Sequence, residues 1–379
     1  MFLKEVHARK ILDSRKEPTI EISIGNINAS SPSGKSKGKY ETPPFHSSLE
    51  WNIKFLNTST FNLEIHEFQD LKKVESFIKK KAKLKDAKQF GANALFALES
   101  AILKALAKEE GIELFQLLNF KPKKFPIPVG NVIEGGLHAH KENHPVFQEF
   151  LLIPKTTSPK INFKSLKEAH AKLKSILSSN KKTDEGAWEV SIDNEQVFEH
   201  LSKFKNFRIG TDVAASSFFC NGNYEYKNKI LDRETQIYYT NSLIKDFNIF
   251  YCEDPLDEED FKGFSKIHRS DSHLVVGDDL TVTHIDRLKK AIKLKSINAM
   301  IIKPNQNGSL IELAKIFKLC KKHSIKTILS HRSGETLDDA LADYAVGFQA
   351  DFIKCGVSTK WREAKLKRLV EIEKIVKKI

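Results

Sequence analysis

Cysteine is scarce. Cys220, Cys252, Cys320 and Cys355 are spread through 379 residues with no CxxC pair. This spacing excludes a zinc-finger framework and argues against structural disulfides, so reduced intracellular thiols are expected. Long apolar runs are missing too. None approaches the roughly 20 residues of a membrane span. Met1-Phe2-Leu3 gives way at once to Lys4 and Glu5, which is too short for a signal peptide. A cytoplasmic protein is expected, with no membrane partner. Acids are in deficit, with 49 Asp plus Glu against 62 Lys plus Arg and a formal charge of +13. Such an excess attracts anions. The lysine clusters of 79–85 and 121–124 are far apart in the chain, however, and lack the interleaved aromatics of a base-stacking platform. The charge therefore reads as solvated helix faces rather than a nucleic-acid surface.

The chain has room for a large core and two domains. Its 40% hydrophobic and 29% charged residues are ordinary for a globular protein. Residues 19–24 alternate as a half-buried strand, entered by a turn around Leu12-Asp13-Ser14-Arg15 and Pro18. The polar run from Ser30 to Gly38 has the composition of a lid that folds over an anion. No period persists over residues 45–68. Helical spacing returns over 71–85 and 93–118, where Leu95, Leu98, Ile102 and Leu106 form a packing stripe. Pro122, Pro126 and Pro128 then punctuate a basic segment. The expected division is an N-terminal α+β domain over residues 1–122 and a second domain over residues 123–379.

In the second domain, apolar runs alternate with amphipathic helical segments, and each run ends in a polar residue. These ends are Asp212, Glu253, Asp278, Lys303, His331 and Lys354. The pattern predicts a β/α barrel whose C-terminal face collects them. The segment 274–305 reads as strand, helix, strand. A right-handed crossover would lay its two strands parallel, so that Asp278 and Lys303 leave one sheet edge together. For one such unit a surface salt bridge explains the pair as well. Three acids in consecutive units, without His or Cys, suit Mg²⁺ better than Zn²⁺. Lys303 beside a divalent cation is expected to have a depressed pKa and to serve as a general base. His331, Arg332 and Ser333 offer an imidazole, a guanidinium fork and a hydroxyl to an oxyanion. Lys354 adds a further cation. A small substrate carrying a carboxylate and a phosphate would satisfy both poles.

An ordered set of motifs runs through most of the chain. It comprises Ile11-Leu12-Asp13-Ser14-Arg15, Pro32-Ser33-Gly34 to Gly38, Gly91-Ala92-Asn93-Ala94, Asn131-Val132-Ile133 with Gly135-Gly136 and His138, and Gln148-Glu149-Phe150. Asp184-Glu185-Gly186, Glu253-Asp254-Pro255, Gly277-Asp278-Asp279, Lys303 and Ser330-His331-Arg332-Ser333-Gly334-Glu335-Thr336 continue it. The set resembles the enolase family, the phosphopyruvate hydratases of glycolysis. That resemblance implies an α/β protein with an N-terminal α+β capping domain followed by an enolase-type β/α barrel whose first units break the regular order. It implies Mg²⁺ held by Asp212, Glu253 and Asp278, with Ser36 reaching a second Mg²⁺ when substrate is bound and the lid closes. Lys303 would take the C2 proton of 2-phosphoglycerate, and Glu185, aided by Glu149, would protonate the departing hydroxyl. His138, Gln148, His331, Arg332, Ser333 and Lys354 would hold the substrate. A homodimer or larger assembly is implied as well.

The chain departs from the family at several places. Ala187 and Trp188-Glu189-Val190 replace the usual continuation after Glu185, and a left-handed backbone at Ala187 would cost on the order of 1 kcal/mol. Glu134 stands where an amide is usual, Leu137 where a serine is usual, and the loop after His138 is about two residues longer than usual. To act as an acid, Glu185 needs burial or the neighbouring Glu149 to raise its pKa. The alternative reading is a catalytically impaired enolase-like paralogue with a binding or regulatory role.

Overall fold

The computed structural model describes residues 1–35, 39–139 and 143–378. Ser36 of the expected lid and part of the extended loop after His138 lie outside the described residues.

The N-terminal part builds on an antiparallel sheet of His7–Leu12, Pro18–Ile24 and Ile27–Ser30. Alternation holds where it was expected, with Ile20 and Ile22 fully buried. The helix Ala92–Glu109 lies on this sheet and buries Leu95, Leu98, Ile102 and Leu106 completely. The predicted helix over 93–118 is in fact two. It breaks where Gly111 turns left-handed, and Leu114–Leu118 restarts behind a capping box of Glu113 and Gln116. The predicted 71–85 helix stops at Ala82, where Lys83 adopts a left-handed cap.

The unassigned stretch holds a helix, Leu49–Asn57, with Ser48 as its N-cap. Its buried positions are Leu49, Asn52 and Leu56. The polar member hides the apolar period. Asn52 is buried because its amide donates to the Phe90 carbonyl at 2.7 Å and accepts from His46 N at 3.0 Å.

Eight strands close the barrel. In order they are Ile127–Glu134, Glu149–Pro154, Phe207–Asp212, Ile249–Glu253, Leu274–Gly277, Ala299–Ile302, Lys326–Ser330 and Phe352–Lys354, with the last pairing in parallel with the first. The second strand runs antiparallel to both neighbours, and the remaining pairs are parallel. Alternate strand positions fill the interior with Val129, Leu151, Ile153, Tyr251, Val276, Ile301 and Ile328. Because the second strand is reversed, its first residue reaches the rim where the others end. Register therefore sets Glu134, Glu149, Asp212 and Glu253 in one row across four strands. Among the described residues, no helix is long and apolar enough to cross a membrane.

Candidate active site

Strand ends bring Asp278 and Lys303 together. Leu274–Gly277 and Ala299–Ile302 pair in parallel, and the Lys303 ammonium bonds directly to Asp278 Oδ2. Thr283 Oγ1 accepts from the Lys303 backbone N–H at 2.8 Å and fixes the start of the following turn. Burial opposes charge on Lys303, but the Asp278 carboxylate outweighs it and pushes the pKa above its ordinary value. The expected depression concerns Lys303 beside a bound cation, a different arrangement from this ion pair. It presupposes a cation on Asp278, whereas here that carboxylate is the lysine's own counter-ion.

Lys354 reaches into the row of acids. Its Nζ is 2.8 Å from Glu149 Oε2, 3.1 Å from Asp212 Oδ2, and 3.0 and 2.9 Å from the two Glu253 oxygens. It is buried and does not snorkel to solvent. Tyr251 donates to Glu253 Oε2 at 2.6 Å from below. Burial and the nearby Asp212 drive Glu253 far above the ordinary carboxyl range, the expected result of packing acids beyond their countercharge.

A second group of acids converges at the other side. Glu134, His138, Glu149 and Glu185 each bring one polar atom within 4.8 Å of the others. Burial lifts the Glu149 carboxyl to about 8. Glu185 goes the other way. Burial works against its charge, but the adjoining His331, then Arg362 with Nη2 at 3.8 Å and His138, hold its carboxyl below the usual range. The expectation that burial would raise Glu185 is thus corrected, and the raised proton affinity belongs to Glu149. His331 Nε2 stands 3.3 Å from Glu185 Oε2; burial together with Arg362 pushes that imidazole down, against the pull of Glu185.

The cap supplies the third corner. Ser33 and Gly334 bond backbone to backbone across the two domains, and the Lys35 N–H donates to Ser333 Oγ at 2.7 Å. Both Glu41 oxygens accept from Arg332 Nη2 at 2.9 Å. Gly34 lies so close to this guanidinium that a Cβ would overlap it. One cavity is lined by every expected site residue except Glu253, which lies beneath Lys354, and Ser36, which is outside the described residues.

Sequence reasoning missed Arg362 and Glu41. Arg362 is almost fully buried and donates to the Arg332 and Ser333 carbonyls as well as facing Glu185. A signal existed. Arg362 and Lys365 sit on the same buried helix stripe as Leu366, Leu369 and Ile372, and a charge on an apolar stripe has to be partnered. The doubt over Ala187 also resolves. The left-handed residue is Gly186, with φ 88°, and Ala187 is not among the positive-φ positions.

The donor set fits a hard divalent cation. Asp212, Glu253 and Asp278 offer only carboxylate oxygens, and Asp278 Oδ1 is buried without a hydrogen-bond partner among the described residues. Asp254, Asp278 and Asp279 also have oxygens within mutual ligating distance.

Comparison with known proteins agrees with this architecture. The family described as enolase, C-terminal TIM barrel domain matches residues 122–378, and the enolase N-terminal domain family matches residues 3–118. An enolase of Archaeoglobus fulgidus is 34% identical over 405 residues, covering 100% of this chain and 98% of that protein. Enolases of Natronomonas pharaonis and Thermoplasma acidophilum are 34% and 35% identical, each with 98% of both chains covered. With both of its domains matched and relatives similar along their whole length, the chain belongs to the enolase family.

Proposed function

We propose that the chain is a Mg²⁺-dependent phosphopyruvate hydratase that interconverts 2-phosphoglycerate and phosphoenolpyruvate in the cytoplasm. The observation that carries this reading is the pairing of opposite poles in one cavity. Lys303, bonded to Asp278, and the cluster holding Glu149 and Glu185 line the same cavity.

A substrate held between the poles presents its C2 proton to Lys303 and its C3 hydroxyl to the acids. Asp212, Glu253 and Asp278 would hold the tightly bound Mg²⁺, with Ser36 reaching a second ion. When bound, the metal supplies positive charge that offsets the substrate carboxylate as the C2 proton leaves. Lys303 has to shed its own proton before it accepts another, and breaking its bond to Asp278 lowers its proton affinity. Glu149 and Glu185 share one ionisable proton. Its resting place is Glu149, and Glu185 relays it to the departing hydroxyl, a division supported by the opposite directions of their shifts. Arg332 and Ser333 hold the phosphate, while His138, Gln148 and His331 orient the remaining oxygens. For phosphate to take Arg332 Nη2, Glu41 has to yield it.

The domain division near residue 122 and a homo-oligomeric assembly belong to the same reading. The test is direct. Purified protein with Mg²⁺ and 2-phosphoglycerate should generate the ultraviolet absorbance of phosphoenolpyruvate, and a chelator should abolish it. No turnover at any Mg²⁺ concentration would sink the proposal.

A further inference from the structure

Glu134 takes no part in the chemistry proposed above. It ends the first barrel strand, fully buried, and strand register fixes it beside Glu149. Its Oε1 accepts from Asn131 Nδ2 at 2.5 Å and lies 3.7 Å from His138 Nδ1. Its Oε2 and the histidine Nδ1 are both buried without a hydrogen-bond partner among the described residues. A buried carboxylate needs a countercharge. Its neighbours in the row are acids, and among the described residues the cation facing it is the imidazole of His138.

We propose that Glu134 is a positioning residue that holds His138 as an imidazolium over the cavity, so that the histidine meets an anionic substrate as a full charge. This rests on the reading of the site as one for a phosphorylated carboxylate. The tether is short, because His138 closes the single turn Gly136–His138 that follows the strand. Among the described residues, the titratable groups facing His138 are Glu134 from the first strand, Glu149 from the second and Glu185 from the loop before Trp188. Behind them, Lys354 binds Glu149, and Arg362 and His331 face Glu185.

These neighbours do not replace Glu134. Glu149 keeps a proton up to about pH 8, and Glu185 already has Arg362 to balance. Burial alone would make His138 neutral, but the Glu134 carboxylate beside it outweighs burial and pushes the imidazole up to about 9. Without Glu134, burial dominates and the imidazole loses its proton near neutrality.

The experiment uses the full chain with Glu134→Gln. In chelator without substrate, NMR titration of His138, assigned through His138→Asn, should show a midpoint about two units below wild type, a roughly 100-fold change in proton affinity. In turnover with 2-phosphoglycerate, KM of the variant should lie within about twofold of wild type near pH 6 and about tenfold above it near pH 8, with kcat changed less. An unmoved midpoint, or a KM raised equally at both pH values, overturns the proposal. If wild type gives no turnover, the reaction reading fails, and the titration alone decides the role of Glu134. If Glu134→Gln does not fold, Glu134→Asp takes its place. It should give a midpoint between wild type and the ordinary histidine value, and an unchanged midpoint counts against the proposal.

Discussion

On one side of the cavity, the charged groups come from the ends of parallel strands. Asp278 and Lys303 follow adjacent strands, and Lys354 closes the last. On the other side, they come from the start of a reversed strand, a single turn and a loop: Glu149, His138 and Glu185. The first side repeats one unit, so each position constrains the next. The second side follows no repeat, and its charges are set by what packs around them. The two sides also differ in balance. Lys303 bonds Asp278 directly, whereas Lys354 is divided among Glu149, Asp212 and Glu253, and Glu134 and Glu185 lean on His138 and Arg362, so that Glu149 keeps a proton.

The sharpest way to separate the sides is to remove the base. Lys303→Ala should lower turnover by about 10³-fold, the usual range for a lost general base. KM should change far less, because the phosphate corner at Arg332 and Ser333 is untouched. Steady-state kinetics with 2-phosphoglycerate checks this, and a loss confined to KM would argue that Lys303 binds substrate instead of taking a proton.

The opposite side breaks differently. Arg362→Leu strips countercharge from Glu185 and donors from the Arg332 and Ser333 carbonyls. A buried carboxylate left with less countercharge should cost on the order of 3 kcal/mol, read as a lower denaturant midpoint. Activity should fall as well, because Glu185 and Arg332 both shift. A variant as stable as wild type would mean that Arg362 does not set the charge balance of this side.

This contrast explains what was legible in the sequence. Strand ends at Asp212, Glu253, Asp278, Lys303, His331 and Lys354 could be read from apolar runs alone, because a barrel delivers every such end to one face. Glu149 could not, since it starts a strand and reaches that face only because the strand is reversed. His138 and Glu185 rest on motif resemblance for the same reason. Arg362 was visible only as a charge on an apolar stripe, and Asn52 concealed a helix by being polar and buried. Protonation was the least legible property. Glu149 and Glu185 have the same side chain, and only their neighbours send them in opposite directions.

Glu149 offers a finer test. Its folded carboxyl holds a proton up to about pH 8, against an ordinary value of 4.5. Between those values the folded chain binds more protons than the unfolded one, so stability is lost as pH rises through that window. Glu149→Gln cannot lose this proton. In chelator, its melting temperature should therefore fall less than wild type between about pH 5 and pH 8.5. Equal slopes would place the shared proton elsewhere in the cluster.

The smallest effect concerns the backbone that carries Glu185. Ala187 is fully buried, and its carbonyl accepts from the Thr183 N–H at 3.0 Å, closing the turn around the acid. The left-handed step is already taken by Gly186, whose added Cβ would meet Thr359. A glycine at 187 therefore relieves no strain. It only adds freedom to the unfolded chain and removes a buried methyl, so Ala187→Gly should cost about 1 kcal/mol. Thermal unfolding should register that loss with kcat nearly unchanged. A gain in stability or rate would show that Ala187 strains the loop after all, and that the acid side departs from its relatives in backbone as well as in charge.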